Sequence, residues 1–284
     1  VGETTCDAKK KTWDFLSGRT NFHVMEVPQK KEPIDYDLWR QETLNFKTRL
    51  EQLTGNILNS NNLTRATQLL NRRRVALATM NAYRKADLAA ISGTDALVVT
   101  QAALTDDPQR FCDNLDRLNE ELDARLAAGI AVARPDAKRL MISGCPSVSG
   151  NWKLHHLIES SGATIVCDET CTGTRYYENL VPETNGSLDA QLNAIADRYM
   201  KINCACFSPN QDRITSILKL AKEYRLHGVV QYVLQYCHGY NVEALNVAAA
   251  LKSEGIPSLK IETDYSEEDT GQLRTRIEAF LELQ

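Results

Sequence analysis

The chain has 284 residues, of which 43% are apolar and 25% are charged, a composition typical of globular proteins with a full hydrophobic core. The formal net charge of −4 gives no indication of a polyanion-binding surface, and no apolar run approaches the ~20 residues that cross a bilayer. Nucleic-acid-binding and membrane-spanning roles are therefore not expected. The length allows one large or two medium domains.

Residues 1–32 are predicted to form the end of a strand, a helix and a second short strand. The opening "VGETTCD" is typical of a strand that runs into a helix, "AKKKTWDFLSG" predicts that helix, and "FHVMEVP" predicts a short buried strand. Because the chain begins at Val1 within a predicted strand, we expect further residues upstream. Residues 1–32 are then the C-terminal end of a truncated upstream α/β domain.

Residues 33–135 are predicted to be a helical region. Apolar side chains recur at three- and four-residue spacing in segments 36–54, 61–88 and 108–129. The strings "SGTDALVV" and "TDDP" are interpreted as breaks between these helices.

After Pro135 the hydrophobic period changes to that of an α/β domain, predicted over residues 136–284. Short β-branched runs alternate with helical segments, which predicts a doubly wound parallel sheet of the Rossmann or flavodoxin-like type. The predicted strands are "KRLMISG", "ATIVCDE", "GVVQYVLQY" and "PSLKIETD". The predicted helices are segments 150–161, 187–200, 210–226 and 240–254.

The eight cysteines are unusual because most of them lie next to strand ends or before predicted helices. A chain of this size does not need disulfides, so free thiols are expected. The carboxyl ends of parallel strands meet at one edge of the sheet, which is the edge where ligands bind. Only Cys112, inside a helix, has the position of a buried apolar side chain. The others are Cys6, Cys145, Cys167, Cys171, Cys204, Cys206 and Cys237.

Thiolates that converge on one edge suit zinc or an iron–sulfur cluster, because both are held by soft sulfur ligands. Zinc is the weaker interpretation: Cys167 and Cys171 have the spacing of a zinc knuckle, but Cys204 and Cys206 are too close together. Spacing alone equally allows reduced thiols that bind no metal.

Five strings, in order along nearly the whole chain, resemble the 2-hydroxyacyl-CoA dehydratase and benzoyl-CoA reductase family. Within that family the chain is most similar to the double-cubane cluster proteins. The strings are "VGETTCDAKKK", "ETCTGTR", "INCACFSPNQDR", "VLQYCHGYNVE" and "IETDYSEEDTGQLRTRIEAFLE".

The resemblance implies a set of cluster ligands. Dehydratase subunits of the family hold one [4Fe-4S] cluster with three cysteines, two of which correspond to Cys6 and Cys237. Cys171, Cys204 and Cys206 are further ligand candidates, and the Cys-Ala-Cys string resembles the double-cubane branch, where it would help to hold a second cubane of an [8Fe-9S] cluster. Which of Cys204 and Cys206 is the ligand stays open.

The implied activity is low-potential electron transfer by a cytoplasmic, anaerobic, homodimeric oxidoreductase. A separate ATP-dependent iron–sulfur reductase would supply the electrons, because the chain lacks a phosphate loop with its lysine. A small molecule would be the substrate. One alternative is a 2-hydroxyacyl-CoA dehydratase subunit with a single [4Fe-4S] cluster. An alternative of another class is a non-catalytic CoA- or nucleotide-binding module with structural zinc.

Other polar residues have weaker indications of function. His238 follows Cys237 and could donate a proton or only hydrogen-bond a sulfur atom. Arg175 could neutralise the charge of a cluster or a thioester phosphate, although arginines on helix surfaces more often do neither. His155 and His156 lack the spacing of a metal-binding pair, and both are predicted to be at the surface.

Overall fold

The computed structural model describes residues 2, 6–148, 150–183 and 186–284. The chain divides into two compact units. Unit 1 comprises Val1–Asn71 and Asn179–Asn210, and unit 2 comprises Arg72–Glu178 and Gln211–Gln284. Apart from Gly2, the strand predicted for the first five residues lies outside the described residues.

The described residues form helices and parallel strands in the order that the sequence predicts. The helices are α1 (Asp7–Ser17), α2 (Pro33–Thr54), α3 (Ser60–Ala82), α4 (Gly93–Ala102), α5 (Pro108–Ala127), α6 (Lys153–Ser160), α7 (Thr174–Tyr177), α8 (Leu188–Met200), α9 (Gln211–Glu223), α10 (His238–Ser253) and α11 (Thr270–Glu282). The strands are β1 (Arg139–Gly144), β2 (Thr164–Glu169), β3 (Gly228–Leu234) and β4 (Ser258–Thr263). Across the described ranges, no helix is long and apolar enough to cross a bilayer.

Two local predictions are wrong. The string "SGTDALVV" begins α4 and does not break the helical region, because the Ser92 hydroxyl accepts the N–H of Asp95 and so caps a helix whose next residues are apolar. The string "FHVMEVP" is not buried throughout as predicted: among the described residues it makes one parallel bridge, between Val24 and Gly2, and Val24 is 51% exposed.

Unit 2 contains a four-stranded parallel sheet, which confirms the predicted doubly wound α/β class. The strand order is β2-β1-β3-β4, so β1 lies between β2 and β3. The chain first adds β2 on one side of β1 and then returns to add β3 on the other side. The carboxyl ends of β1 and β3 are therefore the topological switch point, where α/β sheets bind ligands.

Helices pack on the sheet through apolar side chains. Helices α9 and α10 contact each other, and their apolar residues join one core cluster with Met141 of β1, Val166 of β2 and Val229 of β3. Helices α6 and α11 also contact each other. All residues of β1 and β2 are buried, whereas β4 is an edge strand with exposed positions at Lys260 and Glu262.

Candidate functional site

Two cysteines meet at the switch point of the sheet. Cys145 directly follows β1 and donates its backbone N–H to the Tyr232 carbonyl at 2.9 Å. Cys237 follows β3 and occupies the N-cap position of α10. A hydrogen bond with the Cys237 thiol, together with burial, raises the pKa of the Cys145 thiol far above its usual range. The Cys145 sulfur also accepts the N–H of Leu234 at 3.3 Å.

A third thiol, that of Cys171, lies on the same edge. Cys171 is exposed in the turn after β2, and its charge also raises the pKa of Cys145. Cys145, Cys171 and Cys237, the edge thiols, thus range from buried through half-buried to exposed. The predicted ligand set omits Cys145, although its position after β1 was the signal that could have included it.

Gly144 allows the two central strands to approach each other at this edge. Its φ is +138°, and a Cβ added there would lie only 2.0 Å from the Tyr232 carbonyl oxygen. On the β3 side, Tyr236 adopts a left-handed conformation with a φ of 68°, and the Cys237 N–H closes the turn on the Leu234 carbonyl at 2.9 Å. Such conformations are unfavourable for tyrosine and are often found at functional sites.

The remaining predicted site residues lie in both units. His238 is the exposed first residue of α10 in unit 2. Cys6, Cys204 and Cys206 belong to unit 1, where Cys6 is exposed at the N-cap position of α1. The structure brings the edge thiols of unit 2 together, while the convergence of the unit 1 thiols with them stays a prediction.

The Cys-Ala-Cys segment lies in a loop that is held in place by hydrogen bonds. Cys204 and Cys206 are half-buried, and the Cys204 carbonyl accepts the Phe207 N–H at 3.2 Å and the Asn210 amide at 2.9 Å. The Ser208 N–H donates to the carbonyl of Gln29 at 3.0 Å. The following helix begins only at Gln211, so the two thiols do not directly precede it as the sequence indicates.

The other two cysteines lie in the core of unit 2. Cys112 is fully buried in α5, as predicted. Cys167 is buried inside β2, and burial raises its pKa well above the usual range, whereas Cys171 is exposed. The Cys167–Cys171 pair therefore does not form the zinc knuckle that its spacing allows. In the described ranges, no group of three His, Cys, Asp or Glu side chains is arranged to hold a single metal ion.

A buried ion network lies beneath the edge thiols. Both Arg175 and Arg213 pair with Glu169, whose carboxylate also accepts the Ser143 hydroxyl at 2.7 Å. Burial alone would raise the pKa of Glu169, but the two guanidinium groups outweigh it and lower that pKa below its usual range. Arg175 is only 4% exposed, so its interpretation as a helix-surface arginine is wrong. Two arginines of α11, Arg274 and Arg276, donate to the Ser160 hydroxyl and to the Lys260 carbonyl.

A second buried network joins α6 and β2 to the 3₁₀ turn Tyr83–Lys85 that follows α3. His155 is 1% exposed, so its predicted surface position is wrong: its Nε2 lies 2.7 Å from Asp168 Oδ1. Arg84 donates to Asp168 Oδ2 at 2.8 Å. Burial would raise the pKa of Asp168, but Arg84 and His155 together lower it to about 2. This network links β2 to the segments that pack against it.

The sequence of the chain matches a known protein family. The chain belongs to the family described as 2-hydroxyglutaryl-CoA dehydratase, D-component, whose family model matches residues 1–283. This finding confirms the family resemblance of the sequence.

Three relatives are named as dehydratase subunits. The chain is 36% identical over 287 positions to the protein named as dehydratase subunit YjiM of Escherichia coli (strain K12), covering 100% of this chain and 73% of the relative. It is 24% identical to the (R)-phenyllactyl-CoA dehydratase beta subunit of Clostridium sporogenes, covering 98% and 72%. It is also 24% identical to the (R)-2-hydroxyglutaryl-CoA dehydratase subunit beta of Acidaminococcus fermentans, covering 83% and 61%.

Proposed function

We propose that the chain is the iron–sulfur subunit of a dehydratase-like enzyme that works at low reduction potential. The meeting of three thiols at the switch point of the parallel sheet is the observation that carries the proposal. Cys145 and Cys237 lie at the carboxyl ends of the two central strands, and Cys171 follows β2 on the same edge. This is where a doubly wound sheet binds its ligand, and thiols are the groups that bind iron–sulfur clusters.

The donor set fits such a cluster better than a single zinc ion. A cubane offers a separate iron to each thiolate, so its ligands need not converge on one point. The described residues offer no three-ligand site for one ion, and Cys167 is buried apart from Cys171.

The proposed ligands are Cys6, Cys171, Cys204, Cys206 and Cys237, to which the edge geometry adds Cys145. Cys6 and Cys237 occupy the N-cap positions of α1 and α10, where the helix dipole would stabilise the negative charge of a bound cluster. His238 is exposed beside Cys237 and is proposed to donate a proton to a substrate bound at this edge. The cluster would supply single electrons at low potential.

The double-cubane interpretation remains our preferred one for the cluster type. The two half-buried thiols of Cys204 and Cys206, in a loop held by hydrogen bonds, would provide the additional ligands that an [8Fe-9S] cluster needs. The names of the relatives favour a dehydratase subunit. The second candidate is therefore a 2-hydroxyacyl-CoA dehydratase subunit, for which we propose one [4Fe-4S] cluster. We further propose a cytoplasmic homodimer.

Iron and sulfide analysis of protein purified without oxygen tests the cluster. A brown protein with about eight irons and acid-labile sulfide per chain is expected for the double cubane, and about four irons for a single cubane. A colourless protein with one zinc ion, or a folded protein without metal, would contradict the proposal.

Individual thiols should differ in their effect on iron content. Cys6→Ser, Cys145→Ser and Cys237→Ser are each expected to remove most of the iron, because each change removes a thiolate. Cys112→Ser is the matched control, since Cys112 is as fully buried as Cys145 but lies inside α5. Iron loss in the control equal to that in Cys237→Ser would contradict the assignment.

The paired thiols need a separate comparison. Of Cys204→Ser and Cys206→Ser, the change at the true ligand should remove about half of the iron, and the other should mainly shift the reduction potential. Equal and negligible effects at both positions would exclude this loop as a ligand of the cluster.

The electron donor can be tested by omission of components. The chain has no phosphate loop with its lysine, so the protein with ATP and dithionite alone should show almost no turnover. Addition of an ATP-dependent iron–sulfur reductase should start both ATP hydrolysis and reduction of a small substrate. Full turnover without that reductase would contradict the two-component proposal. Dehydration of a 2-hydroxyacyl-CoA would favour the single-cubane candidate.

A further inference from the structure

One buried guanidinium group joins all three segments that carry the edge thiols. Arg175 Nη1 donates to the Gly144 carbonyl at 3.3 Å, next to Cys145, and to the Cys171 sulfur at 3.8 Å. The same nitrogen donates to the hydroxyl of Tyr240, in the first turn of α10 after Cys237.

The opposite side of this guanidinium group is held rigidly by Glu169. Arg175 Nε donates to Glu169 Oε1 at 2.7 Å, and Nη2 donates to the Glu169 backbone carbonyl at 3.0 Å. Because Glu169 is the last residue of β2 and is fully buried, it fixes the direction in which Nη1 points. The planar guanidinium group can donate hydrogen bonds to acceptors on two sides at once, whereas the ammonium group of a lysine is a single point charge.

Arg213 provides a natural comparison within the same network. It is as deeply buried as Arg175, pairs with Glu169 at 3.2 Å, and lies over the Tyr240 ring at 4.9 Å from the ring centroid. Its other partners are Ser143 and Glu243, and no described contact joins it to a cysteine. The two arginines therefore differ chiefly in that Arg175 contacts an edge thiol, that of Cys171.

We infer that Arg175 is a positioning residue of the thiol edge, which orients Cys171, the end of β1 and the start of α10, and which donates an N–H···S hydrogen bond to the Cys171 sulfur. This inference rests on the proposed function. A hydrogen bond to a ligating sulfur withdraws electron density from it and makes the bound iron easier to reduce. Arg175 thus raises the reduction potential of a cluster held at this edge.

The test compares Arg175→Lys with Arg213→Lys in the protein purified without oxygen. Both changes keep the positive charge beside Glu169, but only the first removes the donor to Cys171. For Arg175→Lys we expect a roughly tenfold change in the reduction equilibrium, ~59 mV towards more negative potential for a one-electron couple. Reductive titration followed by electron paramagnetic resonance measures it, and Arg213→Lys should titrate like the wild type.

A second variant and an iron assay distinguish a change in reduction potential from misfolding of the variant. Arg175→Gln keeps a donor amide but loses the charge, so its potential should shift at least as far in the same direction. Circular dichroism and iron content are measured for every variant. Equal potentials in Arg175→Lys and Arg213→Lys, at wild-type iron content, would overturn the role of Arg175 while leaving the proposed function intact. Loss of fold confined to both Arg175 variants would also overturn it, since it would indicate a purely structural residue. A wild-type protein without iron would overturn both proposals.

Discussion

Gly144→Ala is expected to lower the free energy of unfolding by about 3 kcal/mol or more. The new Cβ would lie 2.0 Å from the Tyr232 carbonyl oxygen, a backbone atom of β3 that cannot move without separating the two central strands. The φ of +138° adds backbone strain for any residue other than glycine. Denaturant unfolding monitored by circular dichroism measures the change.

Gly162→Ala is the matched control for this experiment. Gly162 also has a positive φ, +90°, but an added Cβ there would meet nothing within 4 Å. The Gly162→Ala change should therefore lower the free energy of unfolding by only ~1 kcal/mol, which is the cost of a left-handed conformation for alanine. Because Gly144 directly precedes Cys145, its replacement should also reduce iron binding. Equal destabilisation by the two changes would show that close approach of β1 and β3 is not what requires glycine at position 144.

Asp168→Asn is expected to destabilise the fold by ~3–5 kcal/mol. The change removes the negative charge that neutralises Arg84, a guanidinium group with 1% exposure, and an uncompensated buried charge is strongly unfavourable. Asp197→Asn is the control, because its ion pair with Arg40 is more than one third exposed on both sides and should contribute less than ~1 kcal/mol. Similar decreases in the free energy of unfolding for Asp168→Asn and Asp197→Asn would contradict the larger contribution of the buried Arg84–Asp168 pair.

The same carboxylate should make the protein sensitive to acid. The pKa of Asp168 is about 2 in the folded chain, below the ~3.9 of an aspartate in an unfolded chain. Its stabilising contribution, on the order of 2–3 kcal/mol, is therefore present above pH ~4 and is lost as the pH falls towards 2. Unfolding curves between pH 5 and pH 2 should accordingly converge for the wild type and Asp168→Asn, and parallel curves would contradict this contribution.

The sequence by itself determined the α/β class and the positions of the strands along the chain. The apolar runs that predict strands agree with β1 to β4 within one or two residues, because fully buried parallel strands need continuous β-branched and apolar side chains. The sequence also determined the family, since short strings around Cys6, Cys171, Cys204 and Cys237 keep their order over the whole chain. The positions of cysteines after strands were sufficient to predict a thiol-rich edge.

Only the tertiary structure decided which polar groups surround that edge. The strand order β2-β1-β3-β4 makes Cys145 and Cys237 neighbours although 91 residues separate them, since residues 146–236 lie between, and no local pattern records which strands pair. For the same reason Arg175 and His155, which local sequence predicts at the surface, lie buried against Glu169 and Asp168. Burial of a charged side chain depends on a partner from a distant strand, and that partner is selected only when the sheet assembles.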